Sequence, residues 1–152
     1  MTDYVVVLPW TGPPLSLNDR GNWRSKARQT AQVRSATGWA VKAARVPFLS
    51  RCEVLLTYYP RDRRRRDADN LVATLKVCAD AMVDAGVCLD DTPDLMVKKM
   101  PVIGPVVKGG RLTLTITPLP PLPADVGLCP AGPHCAYQSP HLAHPTTGRT
   151  HP

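Results

Sequence analysis

The sequence predicts a mixed α/β (α+β) fold: one small domain over residues 1–118 with the element order β-α-β-α-β-β, followed by a disordered, proline-rich tail over residues 119–152. Three observations predict it. Short runs rich in β-branched and aromatic residues are bounded by proline or glycine, as strands are. Longer segments repeat their apolar residues at helical spacing. From residue 118 onward, nine of the 17 prolines occur and no periodicity remains.

The first half of the domain is predicted to hold two strands and one helix. Tyr4–Leu8 is a short apolar run closed by Pro9, which is typical of a strand buried on both faces. Residues 11–22 contain glycine and consecutive prolines and form a loop. A basic amphipathic helix is predicted over Trp23–Arg45, and a second strand over Glu53–Tyr59.

A second helix is predicted from the apolar residues that follow position 70. They recur at intervals of four, three, four and three, which places them on one face toward a core: Leu71, Leu75, Cys78, Met82 and Ala85. Asp69 or Asn70 is predicted to cap the start of this helix, and Gly86 to close its end.

The domain is predicted to end in a hairpin. After an acidic connection over Val87–Asp94, the segments Leu95–Val102 and Arg111–Thr117 have the composition of strands. Gly109 and Gly110 lie between them, in the turn region. The two segments are therefore expected to pair with each other.

The distribution of charge indicates a polyanionic partner. The chain has 19 Lys and Arg residues against 12 Asp and Glu residues, a formal net charge of +7. From Pro118 onward the only charged residues are Asp125 and Arg149, so the excess positive charge belongs to the predicted domain. Such a domain favours nucleic acid or an acidic membrane surface. No apolar run approaches the roughly 18 residues of a membrane span, and no signal-peptide pattern opens the chain, which predicts a cytoplasmic protein.

The five cysteines divide into two groups. Three lie in apolar runs and are predicted to be buried thiols of a reducing compartment: Cys52, Cys78 and Cys88. The tail contains the residue types of a Cys2His2 zinc site: Cys129, His134, Cys135, His141 and His144. Their spacing matches no common zinc finger, so a tail without metal is the expectation.

Two pairs of aspartates flank the second predicted helix. Asp67 and Asp69 precede it, and Asp90 and Asp91 follow it, so the turn and the next strand must carry the second pair back along a helix of about 24 Å. Converging carboxylates would suit Mg²⁺, or Mn²⁺ in its place, which activates a bound water and neutralises charge on a phosphate. The structural alternative is that each aspartate caps a helix, pairs with an arginine or lies in a solvated turn.

Basic residues lie beside these aspartates. A run of arginines directly before Asp67 can bind phosphates through forked contacts: Arg63, Arg64, Arg65 and Arg66. The first predicted helix offers a second basic surface: Arg24, Lys26 and Arg28. Lys76 lies two helical turns after Asp69 and can reach the same phosphate. The structural alternatives are solvated charges and, for Lys76, an ion pair with Asp80.

Several separate segments share a pattern with one known family. Residues 63–71 (RRRRDADNL) are followed by Asp80-Ala81, Gly86 and LDD at residues 89–91. The pattern also includes LPW at residues 8–10, with Pro13, Pro14 and Asn18, and the segments 97–101 and 108–116. Together these segments resemble the RusA family of Holliday junction resolvases, which is common in phages and prophages. The resemblance extends over residues 1–118.

This resemblance implies a homodimeric, Mg²⁺-dependent resolvase of mixed α/β fold that acts on branched DNA. It implies that Asp67, Asp69 and Asp91 are the essential carboxylates, with Lys76 as an active-site lysine and Arg66 as a DNA-binding residue. The interval from Asp69 to Lys76 is longer than in the family's short form by close to one helical turn. A twofold dimer also suits a four-way junction, since it offers two equivalent sites for paired cuts.

Three functions are consistent with the residues together with this resemblance. The first is a resolvase that cuts four-way junctions. The second is a non-catalytic architectural protein that binds junctions, with the aspartates acting as caps and ion-pair partners. The third is a nuclease of broader specificity for branched DNA. Concentrated carboxylates favour catalysis, because a module that only binds phosphate gains nothing from negative charge there.

Overall fold

The computed structural model describes residues 2–16 and 22–122, which form a five-stranded mixed sheet with two α-helices. The predictions for Asn18, for the tail from residue 123 onward and for a tail zinc site lie outside the described residues. Along the chain the elements are β1 (Tyr4–Val7), α1 (Trp23–Ala43), β2 (Cys52–Tyr59), a 3-10 turn (Ala68–Leu71), α2 (Val72–Asp84), β3 (Met96–Lys98), β4 (Val102–Ile103) and β5 (Arg111–Pro118). The predicted mixed α/β class is confirmed.

The last strand, β5, lies inside the sheet. The strand order is β1-β5-β2-β3, and β4 pairs with β2 beyond β3. Strand β5 runs antiparallel to both neighbours, with Ile116 opposite Tyr4 of β1 and opposite Val54 of β2. Strands β3 and β4 run parallel to β2. The sheet is thus antiparallel on one side of β2 and parallel on the other.

The predicted hairpin between Leu95–Val102 and Arg111–Thr117 is wrong. The first segment is divided into β3 and β4, with Pro101 between them, and both pair with β2 instead of β5. The helical crossover through α2 returns the chain parallel to β2, which is the usual geometry of a βαβ unit. Strand β5 is as long as β2 and pairs with it over eight residues, which the short β3 and β4 cannot offer.

The prediction that Tyr4–Leu8 is buried on both faces is also wrong. Strand β1 is an edge strand among the described residues and pairs only with β5. Val6 is buried, whereas Val5 and Val7 are 60% and 57% exposed. Successive side chains of a strand point to opposite faces, so one face of β1 packs on the core and the other meets solvent.

The apolar stripe predicted for α2 forms the centre of the core. Leu71, Leu75, Cys78 and Met82 are buried, and Ala85 is half-buried. Gly86 closes the helix in a left-handed conformation with φ 77°, as predicted. The three cysteines of the described residues are free, buried thiols, and burial raises the pKa of Cys52 to about 12 and that of Cys78 to about 11.

Helix α1 packs across α2 and matches its predicted position closely. Asn22 caps its start, since the Asn22 side-chain oxygen accepts a hydrogen bond from the backbone N–H of Arg24 at 3.0 Å. Val33, Thr37 and Val41 are its buried residues, and Thr37 Oγ1 lies 3.7 Å from Cys78 Sγ of α2. Among the described residues, no helix is long and apolar enough to cross a membrane.

The turn before β5 lies directly against the loop that follows β1. Gly109 and Gly110 both have positive φ, of 84° and 76°, which side chains other than glycine adopt at a cost. A Cβ atom on Gly110 would lie 2.3 Å from the carbonyl oxygen of Thr11, whereas a Cβ on Gly109 would have no neighbour within 4 Å. Only Gly110 is therefore required by close packing as well as by backbone conformation.

This difference gives a prediction for the two glycines. Gly109→Ala should lower the free energy of unfolding by about 1–2 kcal/mol, the cost of a left-handed alanine. Gly110→Ala should lower it by a further ~1–3 kcal/mol, because the methyl group must displace the Thr11 backbone. Urea-induced unfolding of both variants measures the difference. Equal losses would show that the Thr11 contact does not constrain the turn.

Candidate active site

Asp67 and Asp69 lie on the 3-10 turn that joins the sheet to α2. Asp67, and neither Asp69 nor Asn70 as predicted, caps this turn: its Oδ1 accepts a hydrogen bond from the backbone N–H of Asp69 at 3.2 Å. The capping residue lies earlier in the chain than predicted because a 3-10 turn precedes the α-helix. Both carboxylates are exposed. Ser16 Oγ donates to Asn70 Oδ1 at 3.4 Å, which ties the turn to the first loop.

The arginine run before this turn contains two kinds of side chain. Arg63, Arg64 and Arg65 are exposed. Arg66 is held: its guanidinium donates to the Asp62 carboxylate at 2.7 Å and to the Asp62 carbonyl at 3.1 Å, and lies 5.6 Å from the centre of the Tyr58 ring. The pKa of Asp62 is lowered, because Arg66 and the backbone N–H of Arg64 both donate to its carboxylate. Arg66 is therefore fixed in place, whereas its three neighbours are exposed, with Arg64 Nε 4.0 Å from the Asp62 carboxylate.

Asp91 belongs to a second charged cluster, which follows α2 in the sequence. Lys98 of β3 lies 2.8 Å from the Asp91 carboxylate and also donates to the Asp91 carbonyl. The hydrogen bond from Lys98 lowers the pKa of Asp91, and the charges of Lys98 and Lys76 lower it further, while burial opposes the shift. Asp90 is exposed and accepts from the backbone N–H of Asp91 at 2.7 Å. Asp91 is thus an ionised, half-buried carboxylate beside two lysines.

The two clusters contact different parts of strand β2. Asp67 lines a depression with Tyr58 of β2, whereas Lys98 pairs opposite Val54. These two positions of β2 are about 13 Å apart at the rise of a strand. Within residues 2–16 and 22–122, no three Asp, Glu, His or Cys side chains lie close enough to hold one metal ion.

The donors on the 3-10 turn nevertheless fit a magnesium ion. Mg²⁺ in phosphate-processing sites is commonly bound by one or two carboxylates and keeps several waters. Asp67 and Asp69 supply two exposed carboxylates on one short turn, and exposed arginines lie just before them in the chain. In the same structure the Asp91 carboxylate is paired with Lys98.

The predicted second basic surface lies at the start of α1. Arg24, Lys26 and Arg28 are all exposed there. The guanidinium of Arg24 lies 5.3 Å from the centre of the Trp23 ring, and Trp23 is 73% exposed. An exposed aromatic ring beside cations is a common feature of surfaces that bind single-stranded nucleic acid.

Two positioning residues were not predicted from the sequence motifs. Lys98 had no assigned role, because its partner Asp91 lies seven residues earlier across a turn and no local spacing relates them. Asp62 was assigned no role from the sequence, although its hydrogen bonds hold Arg66. Its interval of four residues from Arg66 is a signal that could have identified the pair.

Fold and surface together define a class: a small mixed α/β protein that presents exposed carboxylates among cationic groups, as a nuclease requires. The chain belongs to the RusA family. It is 37% identical over 125 residues to the crossover junction endodeoxyribonuclease RusA of Escherichia coli strain K12, covering 77% of this chain and 96% of that protein. The proteins of the same name from Shigella sonnei and Enterobacteria phage 82 are each 36% identical, with the same coverage. No family model matches the chain. The resemblance inferred from the sequence is confirmed.

The contacts of Arg66 give a prediction for the pKa of Asp62. Arg66→Met should raise that pKa toward the usual value of an aspartate, because the variant loses the strongest hydrogen bond to the carboxylate. The pKa of Asp84, which Arg34 lowers in the same way, should not change. NMR titration of the side-chain carboxyl carbons measures both groups in one sample.

The same pair has a defined effect on stability. A pKa lowered by folding means that the Asp62–Arg66 pair stabilises the fold above the ordinary pKa of aspartate, and that this contribution is lost as the pH falls through the lowered value. An Asp62 pKa that is the same in the wild-type protein and in Arg66→Met would show that Arg66 is not fixed by this carboxylate in solution.

Proposed function

We propose that this protein is a Mg²⁺-dependent endodeoxyribonuclease that resolves four-way DNA junctions by paired phosphodiester hydrolysis, in DNA recombination and repair. The observation that carries the proposal is the similarity, over 77% of the chain, to proteins named crossover junction endodeoxyribonucleases. The exposed carboxylates of Asp67 and Asp69 next to the arginine run supply matching chemistry.

Asp67 and Asp69 would hold the metal ion in this proposal, with Asp91 and Asp90 as the further carboxylates of the site. A bound Mg²⁺ supplies an activated water and neutralises negative charge on the phosphate. Lys76, an exposed residue of α2 whose charge acts on Asp91, places a cation where negative charge develops in the transition state. Asp91 contributes as an ionised group, because Lys98 and Lys76 keep its pKa low.

The arginines would bind the DNA backbone. Arg63, Arg64 and Arg65 project into solvent and can each contact a phosphate, while Arg66 is presented in a fixed orientation by Asp62. The residues at the start of α1 extend this surface: Arg24, Lys26 and Arg28. A held cation beside exposed ones suits a substrate whose strands diverge, since phosphates must be contacted in several directions.

The proposal includes a homodimer and a cytoplasmic site of action. A four-way junction presents two symmetric strands, and an isologous dimer offers two equivalent active sites for paired cuts. The substrate DNA of a bacterial cell, or of a phage within it, lies in the cytoplasm. Light scattering of the purified protein, alone and with junction DNA, tests the dimer directly.

One observation favours a second candidate, a protein that binds junctions without cutting them. In the part of the chain that the structure describes, the carboxylates do not form a set of three metal ligands, and Asp91 is paired with Lys98. An architectural protein would need only the basic surface, with the aspartates as structural partners. A metal-dependent cut distinguishes the two candidates.

The first prediction from this function concerns Asp69. Asp69→Asn removes one carboxylate charge. The rate of cleavage of a labelled four-way junction in Mg²⁺ should fall on the order of a hundredfold or more, while junction binding is retained. The wild-type protein should make paired cuts in the junction, leave a linear duplex of the same sequence intact, and lose activity in EDTA.

A matched control keeps the result specific. Asp94→Asn changes the same kind of side chain at an exposed position outside the candidate site, and it should cleave like the wild-type protein. Tight junction binding with no cut under Mg²⁺ or Mn²⁺ would instead support the architectural protein. Equal cleavage of flaps and junctions would identify a branched-DNA nuclease of broader specificity.

The second prediction concerns the salt dependence of DNA binding. Arg63→Met should weaken junction binding and reduce the slope of log K against log salt concentration by about 0.9, the value for one lost phosphate contact. Arg45→Met is the control, because Arg45 follows the far end of α1, about 30 Å from Arg24. Binding measured by fluorescence anisotropy over a salt series tests this, and equal slopes for both variants would remove Arg63 from the DNA interface.

A further inference from the structure

A groove outside the carboxylate turn combines an apolar surface with three lysines. It lies between the first half of α2 and the segment that joins β3 to β4, and its volume is about 460 Å³, within the roughly 300–1,000 Å³ of small-molecule sites. Its apolar lining is Val72, Leu75, Met100 and Pro101, and its cationic lining is Lys76, Lys98 and Lys99.

The apolar part of the groove is open to solvent. Met100 is 52% exposed and Val72 is 37% exposed, although both are large hydrophobic residues. Leu75 and Pro101 are buried and support the groove from beneath. Exposed apolar side chains within a rim of polar groups mark surfaces that bind another molecule.

The cations around the groove indicate an anionic ligand. Lys98 is paired with Asp91, and Lys99 lies 3.2 Å from Glu53 with its side chain still 54% exposed. Lys76 is exposed, and neither an ion pair nor a hydrogen bond holds it in the described residues. Three ammonium groups face two partner carboxylates, so the rim has an excess of positive charge for a phosphate to neutralise.

Resting on the proposed function, we infer that this groove binds one unstacked nucleotide of the branched DNA, next to the strand that is cut. Lys76 and Lys99 contact its phosphates, and the apolar lining of Val72 and Met100 covers the face of its base. Lys98 connects the groove with Asp91 and so fixes the distance between the bound nucleotide and the candidate active site.

The chemistry of the groove selects this ligand over an intact duplex. In a duplex the faces of the bases are stacked on their neighbours, and only a base released from the stack can present its face to an apolar surface. A branch point supplies such bases at low cost, because pairing and stacking are already interrupted there. The groove therefore adds a contact that four-way junctions can make and linear DNA cannot.

A fluorescent base analogue tests the inference. We would place 2-aminopurine at each position flanking the branch point of a four-way junction. The full-length Asp69→Asn protein, which is expected to bind the junction without cutting it, is then added in Mg²⁺. Fluorescence of one position should rise at least about twofold over the free junction, because the base leaves the stack. No aromatic residue lines the groove to quench it.

Variants of the groove identify where the base is held. Met100→Ser, at an exposed residue, should remove most of the rise, whereas Val5→Ser, on the opposite edge strand, should leave it unchanged. Lys99→Met should weaken junction binding on the order of fivefold with little effect on duplex binding. Lys42→Met, at an exposed position near the end of α1, is its matched control.

The possible results separate this inference from the proposed function. Junction binding without a fluorescence rise at any position, or a rise that Met100→Ser does not reduce, would overturn the nucleotide site and leave the resolvase intact. A change in oligomeric state on Met100→Ser, measured by light scattering without DNA, would overturn it in favour of a subunit contact. Failure of Asp69→Asn to bind junctions at all would count against the proposed function itself.

Discussion

The parallel pairing of β3 with β2 determines where the charged groups of the site lie. Because two parallel neighbours need a crossover, the chain must travel back along β2 through α2 before β3 can begin. The 3-10 turn with Asp67 and Asp69 therefore lies before the helix, and Asp91 lies after it. The side chain of Lys98, reaching back from β3, connects the returning strand with Asp91. The two pairs of aspartates are therefore separated along the chain by the whole length of α2.

Ion pairs fix the orientation of some charged side chains and leave others exposed. Asp62 holds Arg66, Asp84 is paired with Arg34, and Lys98 holds Asp91. These pairs are exposed or half-buried, so each contributes little to stability, but each fixes the direction of a side chain. The arginines and lysines that remain in solvent are the ones that a polyanion can recruit without breaking an existing pair.

Local features were predictable from the sequence, and pairing partners were not. The stripe from Leu71 to Met82 and the closing Gly86 depend on neighbours within one helix, so periodicity and turn chemistry were sufficient. The partner of β5 depends on strands that are distant in sequence, and a plausible hairpin turn at Gly109 and Gly110 gave the wrong answer. For the site, the residue types were predictable, but the cap at Asp67 depended on a 3-10 turn that no spacing reveals.

The position of β5 has a consequence for how the chain acquires its structure. The two neighbours of β5 lie early and midway along the described sequence, so the pairing of Tyr4 with Ile116 joins strands more than 100 residues apart. Among the described residues, the sheet partner of β1 is β5, so during synthesis β1 is made well before that partner. Contacts of such high sequence separation slow folding, because loop-closure entropy is lost before they form. Until then, the apolar residues of β1 remain accessible to other chains.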